Sequence, residues 1–220
     1  MNSAGCHDGG VEFRAELDRV LPKDLPHRDR LIDKAGAHLA LILEANQHFN
    51  LTRILDAPEA AIKHVYDSVA PWRCFAGVRK VLDAGTGAGF PGVPLAIVLP
   101  DVQFTLAEST QKKARFVEGA VEKLELHNIE VLPDRAEEIA LAQRPHIITA
   151  RAVAPLERLL ELFEKPMKLG ARLILYKGPE VDAELAVIKR YRVKAEEVWR
   201  YDLPDGMGTR VMVGIEAQPR

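Results

Sequence analysis

The chain reads as an α/β protein with a doubly wound, mostly parallel sheet, and three observations predict it. Short apolar runs of strand length alternate with segments of helical periodicity from about residue 78 onward. The first such run ends in a glycine-rich turn that leads directly into an apolar helix. The chain finishes with two strand-like runs joined by a Pro/Asp/Gly turn, which adds an antiparallel hairpin at the sheet edge.

Residues 1–10 (MNSAGCHDGG) are small and polar and are expected to be disordered. Val11 to Val20 suits a short helix, stopped by Pro22 and Pro26. Arg28 to Phe49 places Leu31, Ala35, Leu39, Ile42, Asn46 and Phe49 on one helical face. Asn50-Leu51-Thr52 breaks that pattern. Asp56 then N-caps a further helix with Pro58 in its first turn and Ile62, Val65, Tyr66 and Val69 along it. Residues 11–76 therefore form a helical segment expected to pack on the domain that follows, residues 77–220, and to shape the mouth of its site.

In that domain, Val78, Val81 and Leu82 mark the first strand, with Asp83 at its end and Pro91 as the first residue of the helix after the turn. Gln103 to Glu108 is the second strand, and Ser109 or Thr110 can cap a helix from Gln111 to about Leu126. Ile129 to Leu132 is the third strand, with Asp134 a possible cap for a helix at Ala136 to Leu141. His146 to Ala150 is the fourth strand, Leu156 to Leu162 a helix with Pro155 in its first turn, Ala171 to Tyr176 the fifth strand and Glu180 to Arg190 a helix. Val193 to Tyr201 and Thr209 to Glu216 make the hairpin.

Composition narrows the classes. A chain of 220 residues with 47% hydrophobic content can bury one α/β core with an appendage. The formal net charge of -2 argues against a broadly basic coat, so nucleic-acid binding has to use a local patch. Two cysteines, Cys6 and Cys74, lie far apart with no Cys/His ligand spacing, so neither a metal site nor a disulfide framework is expected. The amino terminus lacks a basic-then-apolar signal pattern and no apolar run reaches membrane-spanning length, which points to a cytoplasmic protein without membrane association.

The glycine turn separates two ligand classes. Asp83-Ala84-Gly85-Thr86-Gly87-Ala88-Gly89-Phe90-Pro91-Gly92 is acidic-x-G-x-G-x-G. A dinucleotide fingerprint needs G-x-G-x-x-G, and counting from Gly85 its sixth position is Phe90. The pattern instead resembles motif I of S-adenosylmethionine-dependent methyltransferases. That resemblance implies that Gly85, Gly87 and Gly89 let backbone approach the methionine part of the cofactor and that Asp83 helps hold its ammonium end. Glu108, closing the second strand, is placed to accept the ribose hydroxyls of an adenosine, a role NAD proteins share. Arg151 closes the fourth strand, where it can fork onto a phosphate, guanine O6 and N7, or a cofactor carboxylate; the plainer reading is a structural salt bridge. No general base stands out.

Further motifs sharpen the resemblance. Asn50-Leu51-Thr52, Lys63-His64 with Asp67-Ser68, the glycine loop with its Phe90-Pro91-Gly92, Arg135-Ala136-Glu137, Arg151-Ala152 and Lys177-Gly178 occur in the order and spacing of the bacterial 16S rRNA guanine-N7 methyltransferase G family, also called glucose-inhibited division protein B. The chain resembles that family from about residue 28 to its end. It departs in the first ten residues and at Lys63-His64-Val65-Tyr66. The resemblance implies a Rossmann-like S-adenosylmethionine methyltransferase sheet, with cofactor contacts at Gly85, Phe90, Ala136, Glu137 and Arg151. It also implies methylation of a guanine in the 530 loop of small-subunit rRNA, position 527 in reference numbering. Guanine N7 carries a lone pair and no proton, which suits the lack of a base.

Candidate RNA contacts are Arg53, Lys63, His64, Lys112, Lys113, Arg115, Arg151 and Lys177; any of the surface ones can equally be a solvated charge. For His64 a local pair with Asp67 at helical spacing is the simplest expectation. The expected partner is 16S rRNA or the small ribosomal subunit, and the expected state a monomer without metal. Two rival readings fit the same residues: an NAD-dependent oxidoreductase using the same crevice, and a non-catalytic ribosome-binding module.

Overall fold

The structure is a computed structural model and describes residues 6–218. Seven strands form one sheet in the order β3-β2-β1-β4-β5-β7-β6. β1 (Lys80–Ala84), β2 (Gln103–Ala107), β3 (Ile129–Leu132), β4 (Ile147–Arg151) and β5 (Arg172–Lys177) are parallel. β7 (Thr209–Ala217) pairs antiparallel with β5, and β6 (Val193–Asp202) lies outside it. The expected hairpin is present, but its second strand is the inner one, so β6 forms the edge. β1, β4 and β5 are buried along almost their whole length because helices cover both faces.

The order reverses between β1 and β4, which places an open crevice at the carboxyl ends of those two strands. α5 (Gly92–Val98), α6 (Gln111–Lys123), α7 (Ala136–Gln143), α8 (Leu156–Lys168) and α9 (Val181–Ile188) complete the α/β units. α8 shows how sequence sets packing: Leu156, Leu159, Leu160, Phe163 and Met167 recur at helical spacing and all are buried against the sheet.

α1 (Cys6–Val20) and α2 (Arg28–Asn46) lie before the sheet. α1 begins five residues before the expected Val11; the expectation of disorder at residues 1–5 falls outside the described residues. Leu17, Leu31, Ala35, Leu39 and Ile42 join one core cluster with Val93, Leu95, Ile97, Phe104 and Leu106, so these helices share the core of the β1–β2 side. α3 (Ala57–Ala60) is N-capped by Asp56, whose side chain accepts from Glu59 N, as expected. It continues as a π-helical turn, Ala61–Tyr66, and then as α4 (Asp67–Val69). Other end signals differ from expectation. Pro91 and Pro155 precede their helices rather than opening them, and the Thr110 and Arg135 positions cap α6 and α7 without side-chain hydrogen bonds.

Among the described residues no helix is long and apolar enough to cross a membrane. No three His, Cys, Asp or Glu side chains are grouped to hold a metal ion among them.

Candidate functional site

The glycine loop begins where β1 ends, and its backbone needs those glycines. Gly85, Gly87 and Gly89 have φ of +69°, +62° and +103°, a region L-residues enter only with strain. A Cβ on Gly85 would lie 2.9 Å from the Val153 side chain, and one on Gly89 would lie 2.9 Å from His38 Cε1 and from Val93 Cγ2. A Cβ on Gly87 would meet nothing within 4 Å, so the loop's middle faces open space.

Two carboxylates hold this turn. Asp83 is fully buried; its Oδ2 accepts from Thr86 Oγ1 at 2.6 Å and from Gly92 N at 2.9 Å, while Oδ1 is buried without a hydrogen-bond partner among the described residues. Burial pushes its pKa up to about 6, against the opposing pull of those donors. Glu108, also buried, accepts from Gly87 N at 3.1 Å with Oε2 and from Thr110 N at 2.8 Å with Oε1. The two acids expected to face the cofactor thus also shape the loop, Asp83 toward α5 and Glu108 toward α6.

Phe90 connects the loop to the second half of the site. Its ring is buried and stacks on His64 (centroids 4.6 Å, 7° apart), with His38 at 5.0 Å on a tilted ring and the Arg151 guanidinium 5.7 Å from its centroid. His64 Nε2 lies 3.0 Å from Thr52 Oγ1, and Thr52 is held in turn by the Asn46 side chain, which accepts from the Leu51 and Thr52 N–H groups. Thr52, pinned by Asn46, is therefore the contact that holds His64. Burial, and secondarily Arg151, lower the His64 pKa to about 3; burial lowers that of His38 to about 4. Both imidazoles are neutral near pH 7.

The expected His64–Asp67 pair does not form. Asp67, 1% exposed, faces three other side chains. Arg151 Nη1 lies 3.2 Å from its Oδ2, Arg210 Nε lies 3.2 Å from its carboxylate, and Tyr201 Oη donates to Oδ1 at 3.0 Å. Arg151 Nη1 also donates to Lys63 O at 2.8 Å. The π-helical turn makes this possible: the Asp67 N–H reaches back five residues to Ile62 O, widening the turn that presents Lys63 O and Asp67 to the end of β4. Tyr176, on β5, donates to Ser68 O at 2.8 Å and fixes the same turn from below.

Beside Phe90 these elements enclose a cleft of about 460 Å³ over the carboxyl ends of β4 and β5, lined by Lys63, His64, Asp67, Arg151, Tyr176 and Arg210 among others. The candidate residues distribute unevenly around it. Lys63 is half-buried and paired with Glu59 at 2.6 Å; Lys177 is more deeply buried and paired with Glu184 at 2.8 Å. Ala136 and Glu137 open α7, half-buried, with Arg135 Nη1 3.8 Å from Glu137. Arg53, Lys112 and Arg115 are exposed. Lys112 Nζ sits 4.3 Å above the Phe49 ring. Arg210, Tyr201, Tyr176 and His38 went unread in the sequence. The first three sit on strands that look like ordinary sheet, and His38 looks like a polar residue on a helix.

The family model described as GidB, rRNA small subunit methyltransferase G, matches residues 31–204. A protein of Solibacter usitatus named ribosomal RNA small subunit methyltransferase G is 57% identical over 210 residues, covering 93% of this chain and 100% of that protein. One of the same name from Mycoplasma capricolum is 36% identical over 194 residues, covering 86% and 84%. Among solved structures, an O-methyltransferase from Bacillus cereus in complex with SAH superposes with a TM-score of 0.58 at 17% identity, covering 96% of this chain and all of that one; it shares the fold. With the family model spanning most of the chain, the glycine loop included, and relatives of that name aligned over most of its length, the chain belongs to the rRNA small subunit methyltransferase G family.

Proposed function

We propose that this protein transfers a methyl group from S-adenosylmethionine to N7 of a guanine in small-subunit rRNA. The observation that carries the reading is the meeting, at Phe90, of a glycine loop open at Gly87 with a cleft walled by Arg151 and the Asn50–Ser68 segment.

The loop fits the cofactor. Gly87 faces open space, Gly85 and Gly89 let the backbone turn where a Cβ would strike Val153 or His38, and Asp83 retains a buried carboxylate oxygen without a partner among the described residues. Gly85, Gly87, Gly89 and Phe90 would line the methionine part, Glu108 the ribose, and Ala136 and Glu137 the adenine. When bound, S-adenosylmethionine supplies a methyl carbon on a sulfonium, an electrophile that needs no further activation.

The remaining work falls to the protein's own residues and is mostly alignment, which can contribute ~7–11 kcal/mol. Guanine N7 has an in-plane lone pair and no proton, so no residue has to act as a base. His64 is suited to this. Neutral, buried and stacked on Phe90, it forms a flat wall between loop and cleft rather than a proton acceptor. Arg151 is restricted by the same chemistry. A guanidinium forked across O6 and N7 would occupy the lone pair that must bond carbon. Arg151 therefore contacts O6, a phosphate or the cofactor carboxylate, with Nη1 already held by Lys63 O and Asp67. Exposed Arg53, Lys112 and Arg115 are the candidates for the local basic contacts that the overall charge of -2 leaves room for. We read the protein as a cytoplasmic monomer that needs no metal.

Methyl-labelled S-adenosylmethionine, purified protein and small subunits from a strain lacking this enzyme test the reading. Label on N7 of one guanine in the 530 loop is expected. Label on another atom or nucleotide removes the target assignment, and absence of both cofactor binding and label removes the function.

A further inference from the structure

Four cations line the cleft: Lys63, Arg151, Lys177 and Arg210. Glu59 matches Lys63 and Glu184 matches Lys177. The two arginines share a single buried carboxylate, Asp67, each with a nitrogen 3.2 Å from it. Among these lining cations and the acids paired directly with them, four positive charges stand against three carboxylates, an excess of one.

That count bears on the reaction proposed above, on which this inference rests. As the N7–C bond forms and the C–S pair leaves with sulfur, positive charge moves onto the acceptor base. Every uncompensated cation near that base opposes the movement, and more strongly where water is excluded. Binding of rRNA has the opposite preference, since a polyanion gains from each added cation. Asp67 is 1% exposed and is held by Tyr201 in addition to the arginines, so its charge is fixed where it compensates them. It also anchors Arg151 to the π-helical turn, beside the Lys63 carbonyl that takes the same Nη1.

We infer that Asp67 is a positioning residue for methyl transfer: it fixes Arg151 and Arg210 and holds the cleft to one excess positive charge while the acceptor base becomes cationic. Asp67 touches neither reacting atom, so its signature is a split between turnover and binding. Asp67→Asn is expected to lower kcat at least tenfold per folded molecule, while KM for small subunits stays level or falls and S-adenosylmethionine affinity, read by calorimetry, changes less than threefold. A loosened fold would not improve RNA binding while slowing turnover.

Asn opposite two half-buried guanidiniums can also prevent folding, so Asp67→Asn is paired with Arg210→Met, which removes one cation and keeps an aliphatic stem. The double variant has the wild-type charge count. It is expected to fold and to have a kcat within threefold of wild type. A folded Asp67→Asn protein with kcat within twofold of wild type overturns the role. So does a double variant more than tenfold slower than wild type. Failure of the wild-type protein to methylate small subunits would instead remove the underlying reading, and this inference with it.

Discussion

The glycine loop and the cleft wall meet at Phe90 but are held by opposite kinds of contact. In the loop, Asp83 reaches three and nine residues along the chain, to Thr86 and Gly92, and Glu108 reaches 21 residues back to Gly87. In the wall, Asp67 reaches 84 residues to Arg151, 134 to Tyr201 and 143 to Arg210. The loop is a local device that a strand, three glycines and a helix assemble between them. The wall exists only once the N-terminal helices, β4 and the C-terminal hairpin have all docked. Damage to the loop should therefore remove cofactor binding and leave the fold, whereas damage to the wall should touch turnover and stability together.

The most severe test of that contrast is Gly87→Asp. A Cβ there meets nothing within 4 Å, so the cost to the fold is about 1–2 kcal/mol for the positive φ, and Asp is among the residues that tolerate it best. The new carboxylate would enter the crevice beside Glu108, whose Oε2 lies 3.1 Å from Gly87 N. S-adenosylmethionine affinity should fall at least 100-fold while the thermal transition drops by only a few degrees, measured by calorimetry and circular dichroism. Unchanged affinity would mean that the loop does not face the cofactor.

On the wall, Arg151→Ala should lower kcat/KM for small subunits at least tenfold and cost about 2 kcal/mol of stability, because Asp67 keeps Arg210 and Tyr201 as partners. Activity equal to wild type would make Arg151 a structural ion pair and nothing more, the plainer reading of its position.

These separations also explain what could be read from the chain. Strand, glycine turn and helix are contiguous, so their order, the acid at 83 and the acid closing β2 were all visible, and the parallel direction of the strands followed from alternation. Asp67 was visible only as part of a motif, and spacing along a helix suggested His64 as its partner. The π-helical turn changes which neighbours face each other, turning Asp67 toward β4 and β7 and leaving His64 to Thr52. Arg210 and Tyr201 carry no local mark, because the carboxylate that gives them meaning lies more than 130 residues away. The inner position of β7 was equally hidden: a hairpin's turn says that two strands pair and not which of them adds to the sheet.

The two regions share a buried aromatic stack, and acid should reveal it. His38 and His64 are held neutral by burial, with pKa values lowered to about 4 and about 3 from 6.5. The stability that depends on their neutrality is fully present above pH 6.5 and is lost as pH falls toward the folded values, about 2 kcal/mol for each at pH 5. Asp83 acts in the opposite sense: with its pKa raised to about 6 from 3.8, it favours the fold as pH drops below 6 and returns about 1 kcal/mol at pH 5. Urea titrations at pH 7 and pH 5 should therefore differ by roughly 2–3 kcal/mol. His38→Leu should lose most of that difference, since Asp83 then nearly offsets His64. An undiminished difference in the variant would place the acid sensitivity outside the stack.

The smallest expected effect separates the two regions most finely. From sequence, Ser109 or Thr110 can cap this helix, and removing such a hydroxyl ordinarily costs ~1 kcal/mol. In the structure Thr110 occupies the cap position of α6 without a side-chain hydrogen bond; instead its N–H donates to Glu108 Oε1, two residues back. The same carboxylate holds Gly87 N with its other oxygen, so one acid joins the start of α6 to the glycine loop. Thr110→Ala should cost less than about 0.5 kcal/mol, because the exposed hydroxyl bonds nothing in the helix end. Glu108→Ala should cost more, since two buried or half-buried N–H groups lose their acceptor. If Thr110→Ala instead costs a full cap, its hydroxyl holds the helix end, and α6 is anchored by a residue that never touches the loop.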